Sequence, residues 1–308
     1  MFFVLSGVVI AHAANRPGLT LGEYTNHRAA RIWSVAIPAL LLSAFAWAFN
    51  AGVGPWDAEA SAPGVVDGVA RLAANGLFVA QLWWLDLPPP LNGPFWSLNY
   101  EVWYYALFAV WTFAQGRART VLLFMVAALA GPKILLLLPI WVLGAALYWH
   151  RPVVGERTAL ALLLASTVAA LLLVYFDVGT MIRGWMFAHW PSLIRPLQGS
   201  NQFVGDWLLA IPVALNFAAA GSLGRFGRPL LRLAVPIRAA AGCTLSAYLY
   251  HVPLKVLVIR VLGIQSWPGL LAIAACVWGL AQVTERQLPL ARRLLSGRPR
   301  ARVSAVGP

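Results

Sequence analysis

Four groups of side chains in this sequence could do chemistry. Glu101 lies within Pro94-Phe95-Trp96-Ser97-Leu98-Asn99-Tyr100-Glu101-Val102-Trp103-Tyr104-Tyr105 and is the only charged residue between Asp86 and Arg117. A carboxylate at the centre of a bilayer costs on the order of 2.5–3.5 kcal/mol on insertion scales, so a partner or a function must offset it. In a helix, Ser97 and Tyr105 lie one turn to either side on the Glu101 face. Such a carboxylate can act as a general acid or base, or orient one. It can equally pair with an Arg or Lys of another helix and hold a bundle together.

The second group is Ser246-Ala247-Tyr248-Leu249-Tyr250-His251-Val252-Pro253. With a helix running from residue 239, His251 falls ~18 Å along it. Pro253 kinks that helix and frees a carbonyl nearby. Lys255 is one turn on from His251, on the same face. An imidazole at that depth is either a satisfied structural residue or a proton-handling one. The third group is His27-Arg28-Ala29-Ala30-Arg31-Ile32, where Arg28 and Arg31 share a helix face. Paired guanidiniums suit a phosphate or pyrophosphate, and they also suit cytoplasmic membrane anchors. The fourth is Phe2-Phe3-Val4-Leu5-Ser6-Gly7, an apolar segment whose small pair permits close helix packing.

The elements that must position these residues are membrane helices. The chain has 308 residues, 60% hydrophobic and 11% charged, against about 45–50% and about 25% in soluble domains. Apolar runs recur near 1–11, 32–50, 68–86, 95–115, 120–149, 158–176, 203–222, 239–262 and 266–284. The expected fold is all-α, a polytopic transmembrane bundle of about nine spans, with one membrane domain over 1–284 and a basic, disordered cytoplasmic tail over 285–308. The run at 1–11 is shorter than the roughly 20 residues a span needs, and it has neither the charged flank nor the cleavage site of a signal peptide. No internal repeat is evident. The 120–149 run, interrupted by Gly131-Pro132-Lys133, is read as one broken span. With residues 12–31 in the cytoplasm, that choice puts fifteen Lys/Arg on inside loops against five outside. The violation is Arg117 and Arg119. Asp57, Glu59 and Asp67 fall outside.

The net charge is +13. In a soluble protein this would suggest nucleic acid. Here it fits basic cytoplasmic loops that meet anionic lipid, so membrane lipids are expected partners and nucleic acid is not. Cys243 and Cys276 fall in apolar runs and read as small buried hydrophobes, not as a disulfide. No Cys/His cluster has metal-ligand spacing.

Taken in order, FFVLSG (2–7), RAAR (28–31), WSLNYEVWYY (96–105) and SAYLYHVP (246–253) resemble the acyltransferase 3 family of integral membrane acyltransferases. Thr284-Glu285-Arg286-Gln287-Leu288-Pro289 resembles that family's closing segment. The resemblance covers nearly the whole chain. It implies ten spans with both termini cytoplasmic, in a bacterial plasma membrane. It also implies a first helix with Arg/Lys, ten residues and a His, the family's candidate base, which this chain is expected to lack. Arg16 and His27 share that spacing but follow FFVLSG in a Pro- and Gly-containing loop.

What the resemblance implies chemically is polysaccharide or glycolipid modification by O-acetylation. An acyl group moves from acyl-CoA, acetyl-CoA in the simplest case, to a carbohydrate or glycolipid hydroxyl, without a metal. Arg28 and Arg31 would bind the CoA phosphates. Glu101 and His251 would be catalytic, with Ser97, Tyr105, Tyr250 and Lys255 in support. Two other readings stay open. Glu101, Lys133, His251 and Lys255 around a helix broken at Gly131-Pro132 also suit a proton-coupled transporter. A catalytically inactive, truncated family member is the other.

Overall fold

A chain this apolar must satisfy its backbone internally, and helices do so within one segment. The computed structural model describes residues 2–50, 63–264 and 266–284, and among them there is no strand. The helices are α1 (Phe2–Ala14), α2 (Leu21–Asn50), α3 (Val65–Gly76), α4 (Trp96–Phe113), α5 (Gly116–Ala130), α6 (Pro132–His150) and α7 (Glu156–Tyr175). They continue as α8 (Val178–His189), α9 (Pro191–Ile194), α10 (Phe203–Ala220), α11 (Arg228–Leu231), α12 (Ala234–Ala241), α13 (Thr244–Lys255) and α14 (Ser266–Val283). The expected acidic loop residues Asp57 and Glu59, and the tail 285–308 with its closing motif, lie outside the described residues.

Five of these helices are long and apolar enough to cross a membrane, and six if the bent pair formed by α12 and the helix from Thr244 to Ile259 counts as one span. About nine spans are therefore not established, and four expected segments take a different form. The 32–50 run is part of a longer helix from Leu21. A capping box starts it: Glu23 N–H donates to Thr20 Oγ1 at 3.2 Å, and Thr20 N–H donates back to the Glu23 carboxylate at 3.1 Å. The 68–86 run is not a span, because α3 stops at Gly76 and 77–92 is non-helical. The 120–149 run is two helices: Gly131 takes φ +82° and Pro132 starts α6, where its missing N–H is no loss. The 239–262 run bends by 53° between α12 and α13 and ends in a π-helical turn, Val256–Val261. The segment 177–202, which lies between two of the apolar runs, carries α8 and α9.

The chain separates into two compact units. The first comprises Met1–Leu19, Val65–Pro89 and Phe95–Arg238, and the second Thr20–Gly64, Pro90–Pro94 and Ala239–Pro308. In the first, α1 lies against α6, and α10 packs on both α6 and α7. The approach of α1 to α6 is backbone to backbone. A Cβ on Gly7 would sit 2.1 Å from the Trp141 carbonyl oxygen, and one on Gly144 would sit 2.0 Å from that of Val4. Ser6-Gly7 thus does provide the close packing its small side chains permit. In the second unit, α13 packs on α2 and α14. Cys243 is buried as expected, whereas Cys276 is exposed on α14, and both are free thiols.

Gly7→Leu is expected to break the α1–α6 contact. Backbone cannot yield as a flexible side chain does, so the cost exceeds the about 1–3 kcal/mol of ordinary overpacking. The expected result in detergent is a sharply lower thermal midpoint and a smaller monodisperse peak on size-exclusion chromatography. Gly184→Ala serves as the control, because a Cβ on this α8 glycine meets nothing within 4 Å and its φ is not positive.

Candidate functional site

In the first unit the aromatic face of α4 meets α1 and α6. Phe3 stacks on Tyr100 at 6.2 Å and meets Tyr104 edge-on at 5.4 Å, and Tyr104 reaches Trp141 at 6.1 Å. Each phenol finds an acceptor, as buried Tyr hydroxyls must. Tyr104 O–H donates to the Ile134 carbonyl at 2.7 Å. Ser200 Oγ donates to the Lys133 carbonyl at 2.9 Å, so Tyr100 O–H donates to Ser200 in turn, at 2.9 Å.

Glu101 is 5% exposed within this surround. Ser6 Oγ donates to its Oε1 at 2.7 Å, and Tyr105 O–H donates to the same oxygen. Trp141 Nε1–H donates to Ser6 Oγ at 3.0 Å. Indole, serine hydroxyl and carboxylate thus form a directed chain, Trp141 to Ser6 to Glu101, joining three helices. Two hydroxyl donors on one oxygen suit a carboxylate, which only accepts. Of the two residues expected beside Glu101, Tyr105 bonds it directly, and Ser97 is buried at 3% exposure one turn before it on α4.

In the sequence Ser6 reads as a packing residue, and nothing singles out Trp141. The signal for Ser6 was present: a hydroxyl in an otherwise wholly apolar run. Trp141 offered none, because an indole in a membrane helix is ordinary.

A second polar cluster in this unit holds the non-helical stretch after α3. Asn75 Nδ2 donates to the Leu87 carbonyl at 2.6 Å, and Trp103 Nε1 donates to that of Phe78 at 2.9 Å. Lys133 Nζ donates to the Leu85 carbonyl and to Gln81 Oε1, the latter at 3.1 Å, and Gln81 Nε2 donates to Asp86 at 2.7 Å. Lys133 and Gln81 are fully buried. Phe78 and Trp83 hold positive φ there, at 57° and 51°. The Lys133 ammonium therefore has a structural task, the satisfaction of irregular backbone.

The remaining expected residues lie in the second unit. Arg28 and Arg31 are one turn apart on α2, both half-buried. Tyr250 is fully buried, and its hydroxyl reaches the Val35 carbonyl at 3.3 Å and Thr284 Oγ1 at 3.1 Å. Pro253 cannot donate to the Leu249 carbonyl, and Asn92 Nδ2 does so instead at 3.0 Å, while also reaching Ser43 Oγ at 3.0 Å. Nothing in the sequence assigns Asn92 this task, although Asn-Gly-Pro before a helix marks an irregular segment.

His251 is exposed, and its Nδ1 approaches the Ala247 and Tyr248 carbonyls at 3.0 and 2.8 Å, so that nitrogen carries the proton. Because α13 begins at Thr244, His251 lies ~10 Å along its helix rather than ~18 Å. Lys255 is also exposed, one turn on. Arg16 sits in the turn after α1 while His27 is within α2, so their spacing does not place them on one helix.

A hydroxyl-bonded carboxylate buried among apolar helices is where a membrane protein is expected to carry its functional site. The chain belongs to the acyltransferase 3 family: the family's model, an acyltransferase domain, matches residues 1–283. That membership supports an integral membrane acyltransferase. No curated protein and no solved structure matches the chain.

Ser6→Ala is expected to lower stability by about 1–3 kcal/mol, since it strands the Trp141 indole N–H and removes one donor from a buried carboxylate. Thermal unfolding in detergent measures this. Ser6→Thr, which keeps the hydroxyl, is expected to restore most of the loss.

Proposed function

We propose that the protein transfers an acyl group, acetyl in the simplest case, from acyl-CoA to a hydroxyl of a carbohydrate or glycolipid. The acceptor oxygen forms a bond to the acyl carbon, the carbon–sulfur bond breaks, and CoA leaves as the thiolate. The acceptor's proton must pass to a base and then to that thiolate. The observation that supports this reading is Glu101 Oε1 accepting hydrogen bonds from Ser6 and Tyr105 in a chain of this family. A carboxylate held by two hydroxyls can take a hydroxyl proton or orient the group that does.

Arg28 and Arg31, three residues apart on one helix, suit the phosphates of CoA through charge-assisted bonds. His251, with Nδ1 protonated, presents Nε2 as an acceptor toward an acceptor hydroxyl or another donor. Ser97, Tyr105, Tyr250 and Lys255 support these groups.

The test is transfer of labelled acetyl from acetyl-CoA to a panel of sugars and glycolipids by purified protein in liposomes. Glu101→Gln keeps the shape and is expected to lower kcat by about 10²-fold or more. Arg28→Gln and Arg31→Gln are each expected to raise the KM for acetyl-CoA by about 10-fold, with kcat less affected. A proton flux that needs no acyl-CoA, with no transfer to any acceptor, would overturn the proposal in favour of a transporter.

A further inference from the structure

Packing in the first unit leaves a gap at one place. α10 lies against both α6 and α7, and between these two a groove of about 300 Å³ remains. Its walls come from Leu143 and Leu147 of α6 and Leu162 of α7, its floor from Ala214 and Ala218 of α10, and Val154 stands at one end. The lining is apolar throughout, and all three helices are long and apolar enough to cross a membrane.

The end of the groove at Val154 has its own chemistry. Val154 N–H donates to Ser222 Oγ at 3.4 Å, and Glu156 pairs with Arg225 at 3.2 Å, so the turn before α7 is stapled to the turn after α10. Arg151 caps α6, its guanidinium lying 4.6 Å over the ring of Tyr148. Arg151 and Arg157 are both exposed. Among the described residues of these two turns the acid is Glu156, matched by Arg225, which leaves this end cationic.

Two observations suit this end to the lipid headgroups. Trp149 is half exposed beside Tyr148, the amphipathic pair that membrane interfaces favour. Past Arg225, exposed Leu231 and Leu233 stand beside exposed Arg228 and Arg232, a mixture of apolar and cationic side chains that suits an interface with anionic lipid.

We propose that the α6–α7 groove is a binding site for one anionic phospholipid, with an acyl chain along Leu147 and Leu143 and the phosphate at Arg151 and Arg157. From Arg151 to Leu143 is ~12 Å along α6, which carries a chain from headgroup depth into the hydrocarbon. Apolar lining alone would accept any lipid, and the cationic mouth selects the anionic class.

The experiment is native mass spectrometry of the full chain, delipidated in detergent and titrated with phosphatidylglycerol or phosphatidylcholine of matched chains. The native chain is expected to retain one phosphatidylglycerol under conditions that strip phosphatidylcholine. Ala218→Phe, which fills the floor, is expected to lower that occupancy at least 10-fold. Arg151→Gln with Arg157→Gln, both exposed, is expected to abolish the preference with a far smaller fall in thermal midpoint than Gly7→Leu gives. Equal retention of the two lipids by the native chain would overturn the proposal. So would undiminished binding by Ala218→Phe, or displacement of the lipid by one equivalent of long-chain acyl-CoA, which would make the groove a donor site. Should Ala218→Phe fail to fold, the double arginine variant decides alone: an unchanged preference for phosphatidylglycerol overturns the site.

Discussion

The first unit depends on one contact, the backbone-to-backbone approach of α1 to α6 at Gly7 and Gly144. Without side chains at these two positions the helices come close enough for the Ser6 hydroxyl to stand between the Trp141 indole and the Glu101 carboxylate. Membrane helices gain little from apolar burial against one another, so packing of small residues and interhelical hydrogen bonds hold them together. Here the two act at adjacent residues: Gly7 sets the distance and Ser6 uses it. The same geometry that seats α1 therefore makes a buried carboxylate tolerable, and a segment that reads as packing also builds the candidate site.

A related constraint explains the irregular stretch after α3. Non-helical backbone inside a bundle must find donors and acceptors away from water. Asn75, Trp103 and Lys133 supply donors to the carbonyls of Leu87, Phe78 and Leu85. Each donor comes from a regular helix and each acceptor from the irregular stretch, so the helices act as a rigid frame that specifies one loop conformation. In the second unit Pro253 raises the same problem on a smaller scale, since it leaves the Leu249 carbonyl without its helical donor. Asn92 answers it and at the same time binds Ser43 of α2.

Function and lipid surroundings meet in the same physics. The groups proposed for acyl transfer are polar and sit on helices, where rotamers are limited by packing and position is well defined. The groove between α6 and α7 is the converse, an apolar feature whose only chemical information is the charge at its mouth. Arginine is suited to both settings, because its guanidinium binds phosphate and also stacks on an aromatic ring, as Arg151 does on Tyr148.

Composition and motif order, by themselves, determined the all-helical membrane class and the family, because hydropathy and local side-chain chemistry are properties of consecutive residues. They also placed Tyr105 beside Glu101, since both lie on one helix with fixed geometry. Boundaries were less legible. A hydropathy run does not record where a capping box such as Thr20–Glu23 starts a helix, or where Gly131 and the 242–243 turn interrupt one. Only the tertiary structure decided that Ser6 and Trp141 complete the surroundings of Glu101, that Lys133 holds backbone carbonyls, and that Asn92 relieves Pro253. These contacts join residues from 48 to 157 positions apart, and no local pattern encodes such a pairing, because it arises from how helices pack rather than from which residues are neighbours in the chain.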